Sequence, residues 1–200
     1  MIQRMILATL LLELPITACT TTPSVSVIER ADSLSSKPEW ASITRSTFEE
    51  SGKLFFLGYI EVSGDASKSA ALNMADEKAM SEPLRSLTDQ FLDQNQVGEE
   101  LRKDSSVGQR IISATRGYRP PMAGLRIVHR YWETARVPNQ DDPNITKVEL
   151  RAYSLAELSR ADFESAKAAY FSRLRGESEV KKILEEVGVA QREKSNEPLK

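Results

Sequence analysis

Thiols are almost absent from this chain: Cys19 is the single cysteine in 200 residues. An internal disulfide needs two, and a thiolate-rich metal centre needs several, so the sequence excludes both. Histidine is as scarce, with His129 alone, which removes the paired-imidazole zinc motifs. Glycine-rich phosphate loops and a serine elbow are also missing. Neither sign of charge is in excess, with 27 Lys and Arg against 29 Asp and Glu and a net charge of −2. The basic footprint of a nucleic-acid binder is therefore lacking, and nucleic acid is not an expected partner. No apolar run reaches the roughly 20 residues that a membrane-spanning helix requires.

What is present begins at the N-terminus. Met1-Ile2-Gln3-Arg4 carries one positive charge, residues 5–12 read MILATLLL, and Pro15 follows. A charged start, a short apolar middle and a small-residue end form the layout of a secretory signal. Pro15 stops a helix ahead of Ile16-Thr17-Ala18, leaving an extended segment that a peptidase can hold. Ile16-Thr17-Ala18-Cys19 resembles the bacterial lipobox. That resemblance implies a thioether-linked lipid on Cys19, which becomes the mature N-terminus; no other cofactor is expected. Each buried methylene adds about 0.8 kcal/mol, so two or three acyl chains hold a protein on a bilayer. Thr20 stands where an aspartate commonly marks inner-membrane retention, so the resemblance points to the outer membrane and its periplasmic face. The alternatives are a secretory signal cut elsewhere with Cys19 incidental, and an intracellular protein with an apolar N-terminal helix.

The expected division is a signal peptide over 1–18, a lipidated Cys19 with a flexible tether to 37, a domain over 38–190 and a polar tail over 191–200. The tether is read from TTTPSVSVIERADSLSSK, which is rich in Ser and Thr and poor in large apolar groups. Within the domain, the apolar run 54–62 predicts a central strand. Alanine- and leucine-rich residues 66–94 predict a helix kinked or divided at Pro83, with a further helix over 106–115. The β-rich runs 125–137 and 145–153, around the polar turn 138–144, predict an antiparallel hairpin. A helix over 156–175 and a second short one beyond Gly176 complete the chain. The expected fold is α+β: a three-stranded sheet, ordered strand-helix-strand-strand-helix, with helices mainly on one face and a lipid-anchored N-terminal tether.

Lys37-Pro38-Glu39-Trp40, Leu57-Gly58 within the first strand, an alanine-rich helix and the segment VELRAYSLAELSR resemble the twenty-kilodalton outer-membrane lipoprotein family, a broad group that includes a flagellar lipoprotein. The resemblance covers roughly 37–169 and leaves 94–124 unmatched. It implies an envelope lipoprotein of structural or assembly role, not an enzyme, and carries over no catalytic residue.

One strand parity joins Arg126, Val128, Arg130, Trp132, Thr134 and Arg136. With Tyr153 and Arg151 on the next strand and Phe55, Leu57 and Tyr59 on the first, it predicts an aromatic and arginine-rich face. Such composition is enriched at protein interfaces. Arg126, Arg130, Trp132, Arg136 and Tyr153 are accordingly the candidate interaction face, with a protein partner, a second copy or an envelope polymer as its ligand. The alternative is that the face is covered by Trp40, the tether or the last helix. His129 is assigned to the opposite parity with Leu125, Ile127 and Tyr131, as a core residue. Asp141 and Asp142 read as a solvated turn, since the loop lacks the spaced oxygens of a calcium site. Arg110, Arg116, Arg119, Arg126, Arg130 and Arg136 against Glu133 alone would favour anionic envelope components or simply a solvated hairpin. A periplasmic module that binds a small or polymeric ligand is the rival function.

Overall fold

The computed structural model describes residues 25–99, 105–115, 117–139, 142 and 145–195. Cys19, the signal-like segment, Arg116, Asp141, Asn144 and the final five residues lie outside the described set.

The sheet has five antiparallel strands, not three. In chain order the described elements are β1 (Ser26–Arg30), β2 (Thr47–Glu50), β3 (Lys53–Ser63), α1 (Lys68–Gln94), α2 (Ser105–Ala114), β4 (Arg126–Pro138), β5 (Thr146–Ser159), α3 (Arg160–Gly176) and α4 (Ser178–Ser195). Across the sheet the order is β1-β4-β5-β3-β2. Both additional strands are edges. The first, SVIER, lies within the stretch expected to be a tether and forms by pairing with β4, a tertiary contact that local composition does not encode. The second, TFEE, joins β3 through Ser51-Gly52, whose φ angles of 51° and 74° fit a two-residue hairpin turn. Between β1 and β2, two 3-10 turns, Ala31–Ser33 and Glu39–Ser42, interrupt an otherwise extended strap.

Alternation of apolar and other residues fixes one face of each strand against the helices. Leu54 and Phe56 of β3 and Ala156 and Leu158 of β5 are buried there with Leu87 and Phe91 of α1. Phe163, Tyr170 and Leu174 of α3, Ile183 of α4 and Ile111 of α2 complete the same core. Ser67 caps α1, its hydroxyl accepting from the Ala70 amide at 3.4 Å. Ala71, Ala75 and Ala79 form the buried stripe that lets this helix approach the strands. Pro83 does not divide α1, which runs through it as one helix: residues on both sides are buried, and that burial outweighs a local cost of about 3 kcal/mol.

The predicted helix from Ala156 also needs correction. Leu155, Ala156, Glu157 and Leu158 alternate and pair with β3, so β5 continues to Ser159. Only then does α3 begin, with the Ser159 hydroxyl oxygen accepting from the Asp162 amide at 3.1 Å.

One irregularity reorders the whole of β4. Ile127 pairs with Ala156 and His129 with Leu155, so Val128 is an extra residue, a β-bulge. Beyond it every side chain changes sides relative to a simple alternation.

Candidate interaction face

The sheet face away from the helices is a grid. In one row, Tyr131 of β4, Tyr153 of β5 and Tyr59 of β3 are direct cross-strand neighbours. Their ring centres lie 5.7 Å apart for Tyr131–Tyr153 and 4.9 Å for Tyr59–Tyr153. In the next row Glu133, Arg151 and Glu61 stand side by side. The two rows are joined vertically: the Tyr131 hydroxyl donates to Glu133 Oε2 at 2.9 Å and the Tyr59 hydroxyl to Glu61 Oε2 at 2.5 Å. Arg151 donates from Nη2 to Glu149 Oε2 at 3.2 Å and faces Glu61 at 3.6 Å. At the other end of the face, Glu157 accepts from Lys53 at 2.9 Å and from Arg126 at 2.6 and 3.0 Å.

A strap covers the middle of this grid. Lys37 donates to the Tyr153 hydroxyl at 2.7 Å and lies 4.0 Å above that ring. Trp40 stacks on His129 with ring centres 5.9 Å apart. Ala31 and Ala41 are buried with Tyr131 and Tyr153. Pro38 and the 3-10 turn after it hold Lys37 and Trp40 in position, the Ala41 amide donating to the Pro38 carbonyl at 3.1 Å.

Electrostatics follow from this cover. Burial, reinforced by the negative charge of Glu133, pushes the Tyr153 phenol up to about 12. Burial and then hydrogen bonds to Glu61 and Glu133 raise Tyr59 and Tyr131 further. Burial lowers Lys37, opposed by attraction to Glu133 and assisted by repulsion from Arg151. Glu157 is held below its ordinary range by the hydrogen bonds from Lys53 and Arg126. For Glu149, burial raises the carboxyl, but hydrogen bonds from Lys147 and Arg151 outweigh it and the net shift is down.

The five candidate residues do not share a face. Arg126 precedes the bulge and lies with Tyr153 on the strap-covered grid. Arg130, Trp132 and Arg136 follow the bulge and stand on the helix side. There Arg130 is held by Asp76 of α1, from Nε at 3.0 Å and Nη2 at 2.5 Å. Lys68 of α1 lies 3.8 Å from the Trp132 ring centre. Arg136 pairs with Ser26 and Val148 in adjacent strands, is exposed, and meets no carboxylate among the described residues. His129 and Tyr131 do occupy the face that Tyr153 shares, not the helix-side core. Asp142 is described and carries an interaction of its own, while Asp141 is outside the described residues.

Trp40 is one of the covers that the sequence offers for this face, whereas Lys37 carries no signal that would have placed it there. Sequence reasoning also missed the three-tyrosine row, because one extra residue at Val128 carries no compositional mark. Among the described residues no cluster of three or more His, Cys, Asp or Glu could hold a metal ion, and no helix is long and apolar enough to cross a membrane. No family model, curated protein or solved structure matches the chain.

Proposed function

We propose that this chain is a bacterial outer-membrane lipoprotein, anchored through lipid on Cys19, whose α+β domain has a structural or assembly role in the envelope rather than an enzymatic one. Kinship with the twenty-kilodalton outer-membrane lipoproteins belongs to the same proposal. The observation that carries it is the order LPITAC over 14–19, in which the chain's single thiol follows a short apolar run and two small residues. Further support comes from the domain itself, whose grid of paired tyrosines, carboxylates and cations is spent on holding a strap. Radiolabelled palmitate should enter the wild-type chain in bacterial cells and be lost in Cys19→Ser. Incorporation that persists in Cys19→Ser, or a wild-type chain that takes up none, refutes the anchor. A motility assay of a deletion strain tests the flagellar version.

A second reading, capture of a small or polymeric envelope ligand, is favoured by one feature. Between α1 and α2 lies a groove of about 840 Å³, lined by Leu84, Thr88, Gly108 and Ile112 with Arg85 and Arg119. That volume is in the range of ligand sites. Self-association of the detergent-solubilised protein favours assembly; a monomer that retains a co-purifying ligand favours capture.

A further inference from the structure

Three of the large apolar side chains left exposed lie at one end of the sheet. Val25 (53% exposed) enters β1, Ile145 (55%) enters β5, and Val148 (41%) lies three residues further along β5. The register brings all three to the same end of the sheet, with Val148 on the face of Arg136. Ser26, next to Val25, pairs with Arg136, and Arg136 pairs with Val148. The Ile145 carbonyl accepts from the Asn139 amide at 2.7 Å, which closes the β4–β5 hairpin beside them. One end of the sheet therefore carries an apolar rim around an exposed guanidinium. Glu149, the next residue of β5, lies on the opposite face of the sheet and is held by Lys147 at 2.8 Å and Arg151 at 3.2 Å, so Arg136, exposed and paired with Val148, faces no carboxylate among the described residues.

Chain length says what faces this rim. Only residues 20–24 separate Cys19 from Val25. Six peptide steps reach at most about 20 Å. A lipid on Cys19 therefore keeps this end of the sheet within that distance of the bilayer, while Glu50 and Lys53 lie at the far end. We infer that the rim formed by Val25, Ile145 and Val148 rests in the headgroup region of the anchoring bilayer, with Arg136 bound to phospholipid phosphate. This inference rests on the lipoprotein reading and specifies the partner surface that the anchor presents. An apolar side chain at the interface gains by leaving water, and arginine pairs phosphate through two parallel hydrogen bonds. The lipid thus sets distance and the rim sets orientation.

The test uses the full lipidated chain in vesicles of phosphatidylethanolamine and phosphatidylglycerol. Single cysteines replace Ile145, Val25 or, as a far-end control, Glu50, and each carries an environment-sensitive fluorophore; a lipidated Cys19 does not react. At large lipid excess, Ile145→Cys and Val25→Cys should give blue-shifted emission, quenched several-fold more by spin-labelled lipid than Glu50→Cys. Adding Arg136→Glu to Ile145→Cys should return that label to water. Water-like emission at both rim positions, in protein that floats with the vesicles, overturns the inference and leaves the anchor standing. Emission that turns apolar only at high protein density assigns the rim to a second copy and also overturns it. Label uptake by the wild-type chain means a free Cys19 sulfur, and it is then the lipoprotein reading that fails.

Discussion

Gly58 of β3 lies so close to α1 that a Cβ at position 58 would stand 2.0 Å from the Ala75 carbonyl oxygen and 2.6 Å from the Ala79 amide nitrogen. Backbone cannot yield as a side-chain tip can. Gly58→Ala must therefore lift α1 from the sheet or fail to fold. The expected loss is about 3 kcal/mol or more, at the upper end of overpacking costs. Urea denaturation of wild type and variant measures it, and a midpoint that does not move would contradict this helix–sheet contact.

Directly beside that contact, Asp76 accepts from Arg130 and, at 2.6 Å, from the buried Ser154 hydroxyl. The arginine is more than half exposed, so the ion pair contributes little. Leaving Ser154 unsatisfied is the larger effect, about 1–3 kcal/mol. Asp76→Ala should cost that amount, whereas Arg130→Ala should cost under about 1 kcal/mol. Equal losses for the two variants would contradict the assignment.

Trp40 and Lys37 fasten the strap through rings and one hydrogen bond, with no strand pairing of their own. Trp40→Ala should therefore loosen residues 31–46 ahead of the rest of the fold. Protease cleavage within that segment should accelerate, while global stability falls by only about 1–3 kcal/mol. Mass mapping of early fragments distinguishes this from cleavage at random sites.

Four of the five tyrosines, Tyr59, Tyr131, Tyr153 and Tyr170, have raised phenols, burial being the leading cause in each. An unfolded tyrosine ionises near 10. A folded-state value above the unfolded one gives stability that is complete below about pH 10 and is lost as pH climbs through the folded value. Stability should thus fall steeply above pH 10, and phenolate absorbance should rise together with unfolding rather than before it. Tyr153→Phe should flatten that decline.

The acid limb has the opposite sign. Glu157 is lowered by its bonds to Lys53 and Arg126, so its contribution is present above the ordinary glutamate range and disappears as pH falls through the lowered value. Glu157→Gln should weaken the acid dependence of unfolding below about pH 4.3. Both cations are largely exposed, so the effect is modest and should shrink with added salt.

Legibility followed range. The strand at Lys53–Ser63 and the helix at Lys68–Gln94 are written in local periodicity and could be read directly. β1 and β2 could not, because SVIER and TFEE are four or five residues long and become strands only through their partners. Residues 156–159 looked helical because Ala and Leu are good helix formers; pairing with Lys53–Phe56 overrode propensity. The candidate face failed for a single reason. Parity was extended through Val128 as if no bulge existed, which joined Arg130, Trp132 and Arg136 to a face that they do not share with Arg126 and Tyr153.

The placement of β1 has a mechanical consequence. The chain enters this strand at Ser26, at the hairpin-tip end of the sheet, and runs antiparallel to β4. Tension drawn along the strand axis ahead of Ser26 loads the β1–β4 hydrogen bonds in shear, all at once, instead of unzipping them singly. The same short, exposed edge that contributes little to the core is thereby oriented to carry load between whatever holds the N-terminus and the rest of the domain.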